Sequence, residues 1–247
     1  YLETVVPLGL GLEFNGAVRG TDYSTSGYVT TWKLGATWQP IPDIRFRATR
    51  SRDIRAPNLS ELYASGTSRT NTLTDPATGR TTVTFRETTT GNPNLRPEKA
   101  DSVSVGVVFQ PTFLPGFSAS VDGFDIKLKD AIGQFFAQDI INRCFEGRTE
   151  FCAAYGPDPT GDRELFFRAS PFNFARQWVR GIDFDASYRL PLANIIQRAP
   201  GTVTLHGLAT RYIHNITDSG VPNVIPVDTV GQLSGISPPK WIYRFNA

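Results

Sequence analysis

From Leu8 the chain alternates in twos. Leu10, Leu12, Phe14 and Val18 are interleaved with Gly9, Gly11, Glu13, Asn15 and Arg19, which predicts a strand with one apolar and one polar face. After a polar link, Gly20–Gly27, the alternation resumes with Trp32, Leu34, Ala36 and Trp38 against Lys33 and Thr37, and Pro40–Asp43 reads as a tight turn. Phe46 and Ala48 then alternate with Arg45, Arg47, Thr49 and Ser51. That strand must stop near Arg55, because Pro57 cannot donate to a ladder and pushes Ala56 into an extended conformation. Asn58 is placed to cap a short helical turn over Leu59–Leu62. A long polar stretch, Asp53–Glu98, separates this strand from the next.

Val103, Val105, Val107 and Phe109 alternate with Ser102, Ser104 and Gly106, and the turn Gln110–Gly116 leads into Phe117–Leu128. Near Gly123 the apolar phase shifts, from Phe117, Ala119 and Val121 to Phe124, Ile126 and Leu128. Either a β-bulge lies there or the strand leaves an apolar environment. A second long segment, Asp130–Arg176, precedes Trp178–Leu190, where Ile182, Phe184, Ala186, Tyr188 and Leu190 oppose Gly181, Asp183, Asp185, Ser187 and Arg189. The connection Leu192–Gly201, a strand from about Thr202 to Tyr212, a third long loop His214–Pro238 and a strand from Trp241 complete the chain.

About eight strands of roughly 9 to 13 residues result, long enough for tilted membrane spans and longer than the roughly 5–6 usual in soluble sheets. Compact connections alternate with long polar ones, the pattern of outer-membrane barrels. A β-sandwich also alternates apolar with polar, so the polar face has to decide. Glu13, Arg19, Lys33, Arg45, Arg47, Asp183, Asp185 and Arg189 line it among many Thr, Ser and Gly, as suits a hydrated lumen. Trp32, Trp38, Trp178, Tyr188, Trp241 and Tyr243 fall near strand ends, where interface girdles sit.

The 247 residues are 40% apolar with 22 Gly and 18 Pro, and the net charge is +2. No apolar run is long enough for a transmembrane helix, which says nothing against barrel strands. No Lys/Arg run points to nucleic acid. Cys144 and Cys152, eight positions apart in a polar segment, point to a loop disulfide and an oxidising compartment; two unrelated buried thiols are the alternative. They make no metal site, and no cofactor is implied.

Catalytic patterns are missing. His206 and His214 are the two histidines, and no zinc, nucleophile-elbow or phosphate-loop motif occurs. Asp183 and Asp185 share a face as a glycosidase pair would, but lumen polarity explains them more simply. Pro157–Glu164 is dense in carboxylates without EF-hand spacing, and reads as a turn. The chain is not read as an enzyme.

Arg45–Tyr63, RFRATRSRDIRAPNLSELY, resembles the "FRAP…ELY" signature of TonB-dependent outer-membrane receptors. Gly91–Phe109 is similar to their "G-N-P-x-L-x-P-E" strand approach, Pro115–Ile132 and Ser170–Leu192 to the following strands, and Pro238–Ala247 to a late one. The resemblance implies an all-β fold: an antiparallel transmembrane β-barrel, of which residues 1–247 form a fragment of about eight strands from about 22, with the plug domain and last strands absent. It implies energised uptake of a scarce ligand through TonB, most readily a ferric siderophore, with cobalamin or oligosaccharide as other cargoes. A complete small barrel acting as adhesin or structural protein is the alternative.

On this reading the expected partners are outer-membrane lipid, lipopolysaccharide, TonB through an N-terminal part, and a small ligand such as a ferric chelate. The expected location is the bacterial outer membrane, with the long loops, 53–98, 130–176 and 214–238, extracellular and facing the ligand. Arg69, Arg80, Arg86, Arg143, Arg148 and Arg163 could attract an anionic chelate, and Phe135, Phe136, Phe166, Phe167 and Phe172 could contact it or pack the loops. Arg55, Pro57 and Glu61 are expected to pin the base of the first loop, and Asn94, Pro97 and Glu98 to anchor its return.

Overall fold

A computed structural model describes residues 1–25, 27–194, 200–218, 225–233 and 237–247. Most of the chain is one antiparallel sheet, the wall. It comprises β1 (Leu2–Gly9), β2 (Leu12–Tyr23), β3 (Gly27–Ile41), β4 (Ile44–Arg55), β7 (Glu98–Phe109), β8 (Phe117–Gly133), β11 (Phe172–Pro191) and β12 (Thr202–Asp218) in that spatial order, with β13 (Val227–Asp228) and β14 (Trp241–Asn246) both against β12. Among the described residues, β1 and β14 end the sheet as open edges.

The alternation survives as two faces running through every strand. One row pairs Phe46, Val107, Val121, Phe184, Ala209 and Tyr243 across β4, β7, β8, β11, β12 and β14. The next pairs Ile44, Phe109, Ala119, Ala186, Gly207 and Phe245. Neither row carries a charge, and Phe46, Val121 and Tyr243 stay exposed. On β11 this outward band extends from Ile182 to Leu190, roughly 27 Å at about 3.4 Å per residue. A tilt of about 40° brings it to roughly 21 Å, close to the band of about 25 Å that a lipid-facing barrel presents.

Several expectations change. Nine wall strands and the short β13 replace eight, because Gly9–Gly11 is a tight turn. Gly9, Leu10 and Gly11 take φ values of 87°, 52° and 76°, a left-handed path that the two glycines adopt freely. Pairing of β2 with β3 continues to Tyr23 opposite Gly27, so the polar link Gly20–Gly27 is mostly strand. No bulge lies at Gly123: β8 keeps unbroken register with β7 and β11 through that residue. The phase shift marks the outward face turning polar, with Asp125 and Lys127 following Val121. The wall strands β2–β4, β7, β8, β11 and β12 have 12 to 20 residues, longer than expected, because they continue past the band toward the long loops.

The long loops are themselves folded. Residues 53–98 contain α1 (Leu59–Tyr63), β5 (Thr67–Leu73) and β6 (Val83–Thr89); residues 130–176 contain α2 (Ala137–Phe145), α3 (Thr149–Cys152), β9 (Tyr155–Pro157) and β10 (Leu165–Ala169). These make a four-stranded sheet in the order β5-β6-β10-β9, with β6 and β10 parallel. The third loop, 214–238, is part strand to Asp218 and includes β13; its residues 219–224 and 234–236, like 195–199 of the connection Leu192–Gly201, lie outside the described residues.

Candidate functional site

Two regions have built chemistry: the joined loops and the polar face of the wall. The first loop leaves β4 through a pinned corner. Asn58 Oδ1 accepts from Glu61 N at 2.8 Å while the Glu61 carboxylate accepts from Asn58 N at 2.8 Å, a reciprocal cap that starts α1. Arg55, at the last position of β4, donates to both Glu61 oxygens at 3.0 and 3.1 Å and to both Glu98 oxygens at 2.7 and 2.8 Å. It thus joins the loop's departure to its return. Glu98 is buried and also accepts from Ile132 N at 2.7 Å. Burial pushes its carboxyl up, but Arg55 and the Ile132 N–H more than compensate, so it lies below its ordinary value. Arg55 is raised correspondingly by Glu98 and Glu61.

Pro57 and Pro97 are buried at this corner. Asn94 lends only its N–H, to Asn92 Oδ1, and its side chain is exposed. Sequence reasoning missed the residues that tie the return. Asn92 donates its side chain to Pro171 O at 2.9 Å, and its N–H to Glu61 O. Asn173 Oδ1 accepts from Arg96 N while its Nδ2 donates to Arg96 O and Asp130 O. Gly91 passes against α1, where a Cβ would lie 2.5 Å from Leu62 C and O. The run G-N-P-N carried the signal for Gly91 and Asn92.

Beyond the corner, the two loops share a core of Leu73, Val83, Phe85, Ala137, Ile140, Ile141, Phe151 and Phe167. Phe167 is fully buried between Phe85, edge-on at 5.3 Å, and Tyr155, stacked at 5.1 Å. Cys144 and Cys152 form a disulfide that clips α2 to α3. Glu87, fully buried, accepts from Arg69 at 2.6 Å and from Ala137 N at 3.2 Å, which compensates a charge that burial alone would disfavour.

Most of the loop arginines are engaged within the unit. Arg80 pairs with Glu164, Arg86 with Asp158, and Arg148 lies 3.5 Å from Glu146. Arg143 sits over the Phe135 and Phe151 rings at 4.9 and 5.7 Å, and Arg163 donates to Asp162 O. Phe136 is exposed beneath Arg69, Phe166 lies between Arg86 and Arg168, and Phe172 packs on Phe135. Asp75, in the turn between β5 and β6, is held below its usual range by the Thr78 hydroxyl and the Ala77 N–H. The turn Pro157–Glu164 brings Asp158 to Arg86 and Thr160. No group of metal-ligating side chains forms among the described residues.

The polar face of the wall bears a second row. Arg47 donates to Asp122 at 2.7 Å across Gly106, where a Cβ would collide with Asp122 Oδ1 at 1.9 Å. Asp183 accepts from Thr210 at 2.7 Å and Asp185 lies 2.9 Å from His206. Arg47, Asp122, Asp183, Asp185 and Thr210, with Ser104, Ser118 and Ser120, line a concavity of about 710 Å³. Asp183 and Asp185 are therefore partnered wall residues.

The family described as "TonB dependent receptor-like, beta-barrel" matches residues 1–246. Among solved structures, the chain is similar to the siderophore receptor PirA from Acinetobacter baumannii (TM-score 0.59, 14% identity, covering 97% of this chain and 29% of that one). It is also similar to a mutant of the ferric enterobactin receptor PfeA from Pseudomonas aeruginosa (TM-score 0.59, 16%, covering 87% and 27%) and to the siderophore receptor PirA from Pseudomonas aeruginosa (TM-score 0.57, 16%, covering 92% and 37%). The chain thus spans between 27% and 37% of the length of these structures, a fragment of a barrel, and at such identity the likeness is one of fold.

Proposed function

The chain belongs to the TonB-dependent receptor β-barrel family, whose members are outer-membrane transporters rather than enzymes, and we propose that it supplies part of the wall and ligand-gathering loops of a ferric siderophore importer. The observation that carries this reading is the loop unit. Two long connections at one end of the strands are co-folded and locked to the wall by Arg55, Glu61 and Glu98, as a rigid collector for a ligand too large for open pores requires. Solved siderophore receptors as structural neighbours favour that cargo over cobalamin or an oligosaccharide.

On this reading the loop unit is extracellular and the concavity beside Arg47 and Asp122 faces the lumen. The open edges at β1 and β14 are continued by further strands, and a plug and a TonB-contacting segment belong to the same receptor. Tryptophan-fluorescence titration of the full-length receptor with ferric catecholate and hydroxamate chelates, cobalamin and maltooligosaccharides tests the cargo. Saturable quenching by a ferric chelate supports the proposal, and saturation only by cobalamin or sugar overturns it.

A further inference from the structure

β8 and β11 pair without interruption from Phe117 with Tyr188 up to Leu128 with Gln177. Beyond that point the ladder breaks, although the register does not require it. Pairing resumes at Ile132 with Asn173 and continues to Gly133 with Phe172. Between these stretches lie residues 129–131 on β8 and 174–176 on β11, three on each strand, and equal numbers can pair straight across. Instead Ala131 pairs with Ala175, one place out of line. Asp130 takes a φ of 55°, in the left-handed region that a residue with a side chain enters at a cost. One extra residue on β8 is thus cancelled by one on β11. A bulge that merely ends a pairing has no reason to recover the register, and this pair of bulges does recover it.

Side chains hold this defect in place. Asn173 Nδ2 donates to Asp130 O at 2.7 Å, and Arg96 donates to the Asp130 carboxylate at 3.0 Å. Ile132 N donates to Glu98 Oε1 at 2.7 Å. Asn173 also brackets Arg96, accepting from its N–H and donating to its C=O, each at 2.8 Å. Two ladders of the same strands therefore compete at the root of loop 130–176. One is bulged and held by Asn173, Arg96 and Glu98. The other is straight and relieves Asp130.

We propose that this segment is a two-state hinge at the base of the ligand-gathering loops, with the bulged state as the one that receives ligand. Bulges bend the strand that carries them and sharpen its twist, so straightening 129–131 against 174–176 re-aims whatever lies beyond. Beyond it lie α2, α3, β9 and β10, and β10 takes β6 with it through their parallel pairing. Arg96 and Glu98 are also the return of the first loop, so releasing the clamp loosens both loops at one point. Strain kept in place by surrounding contacts marks switch regions and ligand clamps. The hinge rests on the siderophore-importer reading for what it gates, whereas its two states exist with or without cargo.

The test uses the full-length receptor in detergent, with nitroxide labels on Ala77→Cys in the loop unit and Thr112→Cys in a short-turn connection. Double electron–electron resonance reads the distance between them. Asp130→Val disfavours the left-handed backbone, whereas Asp130→Gly adopts it freely. In wild type the straight state is the minor one, on the order of 0.1–10%. In Asp130→Val it should become the major one, seen as a second distance displaced by about 3 Å or more, the rise of one residue. Asp130→Gly should keep the wild-type distance. Asn173→Ala, which removes the clamp and leaves the strain, should also show the second distance, and adding Asp130→Gly to it should return the distribution toward wild type. Tryptophan-fluorescence titration with a ferric catecholate chelate should give an apparent Kd about tenfold weaker for Asp130→Val, as the receptive fraction falls to about a tenth, and an unchanged one for Asp130→Gly. Heat-modifiable gel migration checks folding, and Asn173→Ala decides the matter where Asp130→Val does not fold. An unchanged distance in the folded variants Asp130→Val and Asn173→Ala overturns the hinge. So does a shift in Asp130→Gly equal to that in Asp130→Val. Because the distances are read without ligand, a receptor that shows both states and binds no ferric chelate refutes the cargo and supports the hinge.

Discussion

Replacing Phe167 by Ala should loosen the loop unit while leaving the wall intact. Phe167 is fully buried, with Phe85 and Tyr155 rings at 5.3 and 5.1 Å, and Ile140, Ile141 and Phe151 share its core. Truncating a buried Phe costs about 3–5 kcal/mol through lost transfer energy and the cavity left behind. At about 1.4 kcal/mol per factor of ten, the opened state of this unit should gain on the order of 10²–10³-fold in population. Hydrogen exchange of the purified receptor reads such opening segment by segment. Amides of Leu165–Ala169, Val83–Thr89 and Ala137–Phe145 should exchange faster by that factor, while those of Phe46–Ala48 and Ile182–Tyr188 should not change. Equal acceleration in wall and loops would show that the loops have no stability of their own. Unchanged exchange in all of them would show that no such core exists. Either result refutes the reasoning.

Three further outcomes follow from the same structure. Reducing the disulfide, or Cys144→Ser/Cys152→Ser, should cost about 2.5 kcal/mol from the eight-residue separation by chain-entropy arithmetic, seen as faster proteolysis between Arg143 and Tyr155; unchanged cleavage contradicts it. Because the folded state holds Glu98 below its ordinary value of 4.5, its contribution is full above that value and is lost as pH falls through the lower, folded one. Loop protection from protease should therefore drop in that acid range, and an Arg55→Ala receptor should show little of this dependence; identical pH profiles for the two would sink the assignment. Gly106→Val should drive a side chain into Asp122 and separate it from Arg47, costing about 1–3 kcal/mol. Lowered thermal stability on heat-modifiable gels checks this, and unaltered stability argues against the contact.

The wall was legible because its strands obey one simple rule, apolar outward and polar inward. Phe46, Val107, Val121 and Phe184 fall on one face, as the alternation within each strand predicts, and the register brings them into one row. The same rule hid the turn at Gly9–Gly11, since Leu8, Leu10 and Leu12 keep the period across it. The loop strands were illegible for a different reason. In β6 the buried side alternates Val83, Phe85 and Glu87, and a charge in the third place breaks the apolar pattern until Arg69 and the Ala137 N–H are known to meet it. Besides β5, the partner of β6 is β10, 80 residues away, and no local spacing announces a parallel pairing between two loops. At the corner, Arg55, Glu61 and Glu98 stood out through the motif, whereas Asn173 acts through backbone atoms of Arg96 and Asp130 that no spacing reveals.

The parallel pairing of β6 with β10 also determines what can be exchanged between related receptors. A transplant of residues 59–95 alone would carry Leu73, Val83 and Phe85 without the Phe167, Ile140 and Phe151 that cover them, and Arg86 without Asp158. The recipient would display a sticky half-core and a stranded charge. Residues 134–171 moved alone would fare no better. The heritable cassette is the two segments together, and swaps of these loops between such proteins should succeed only in pairs.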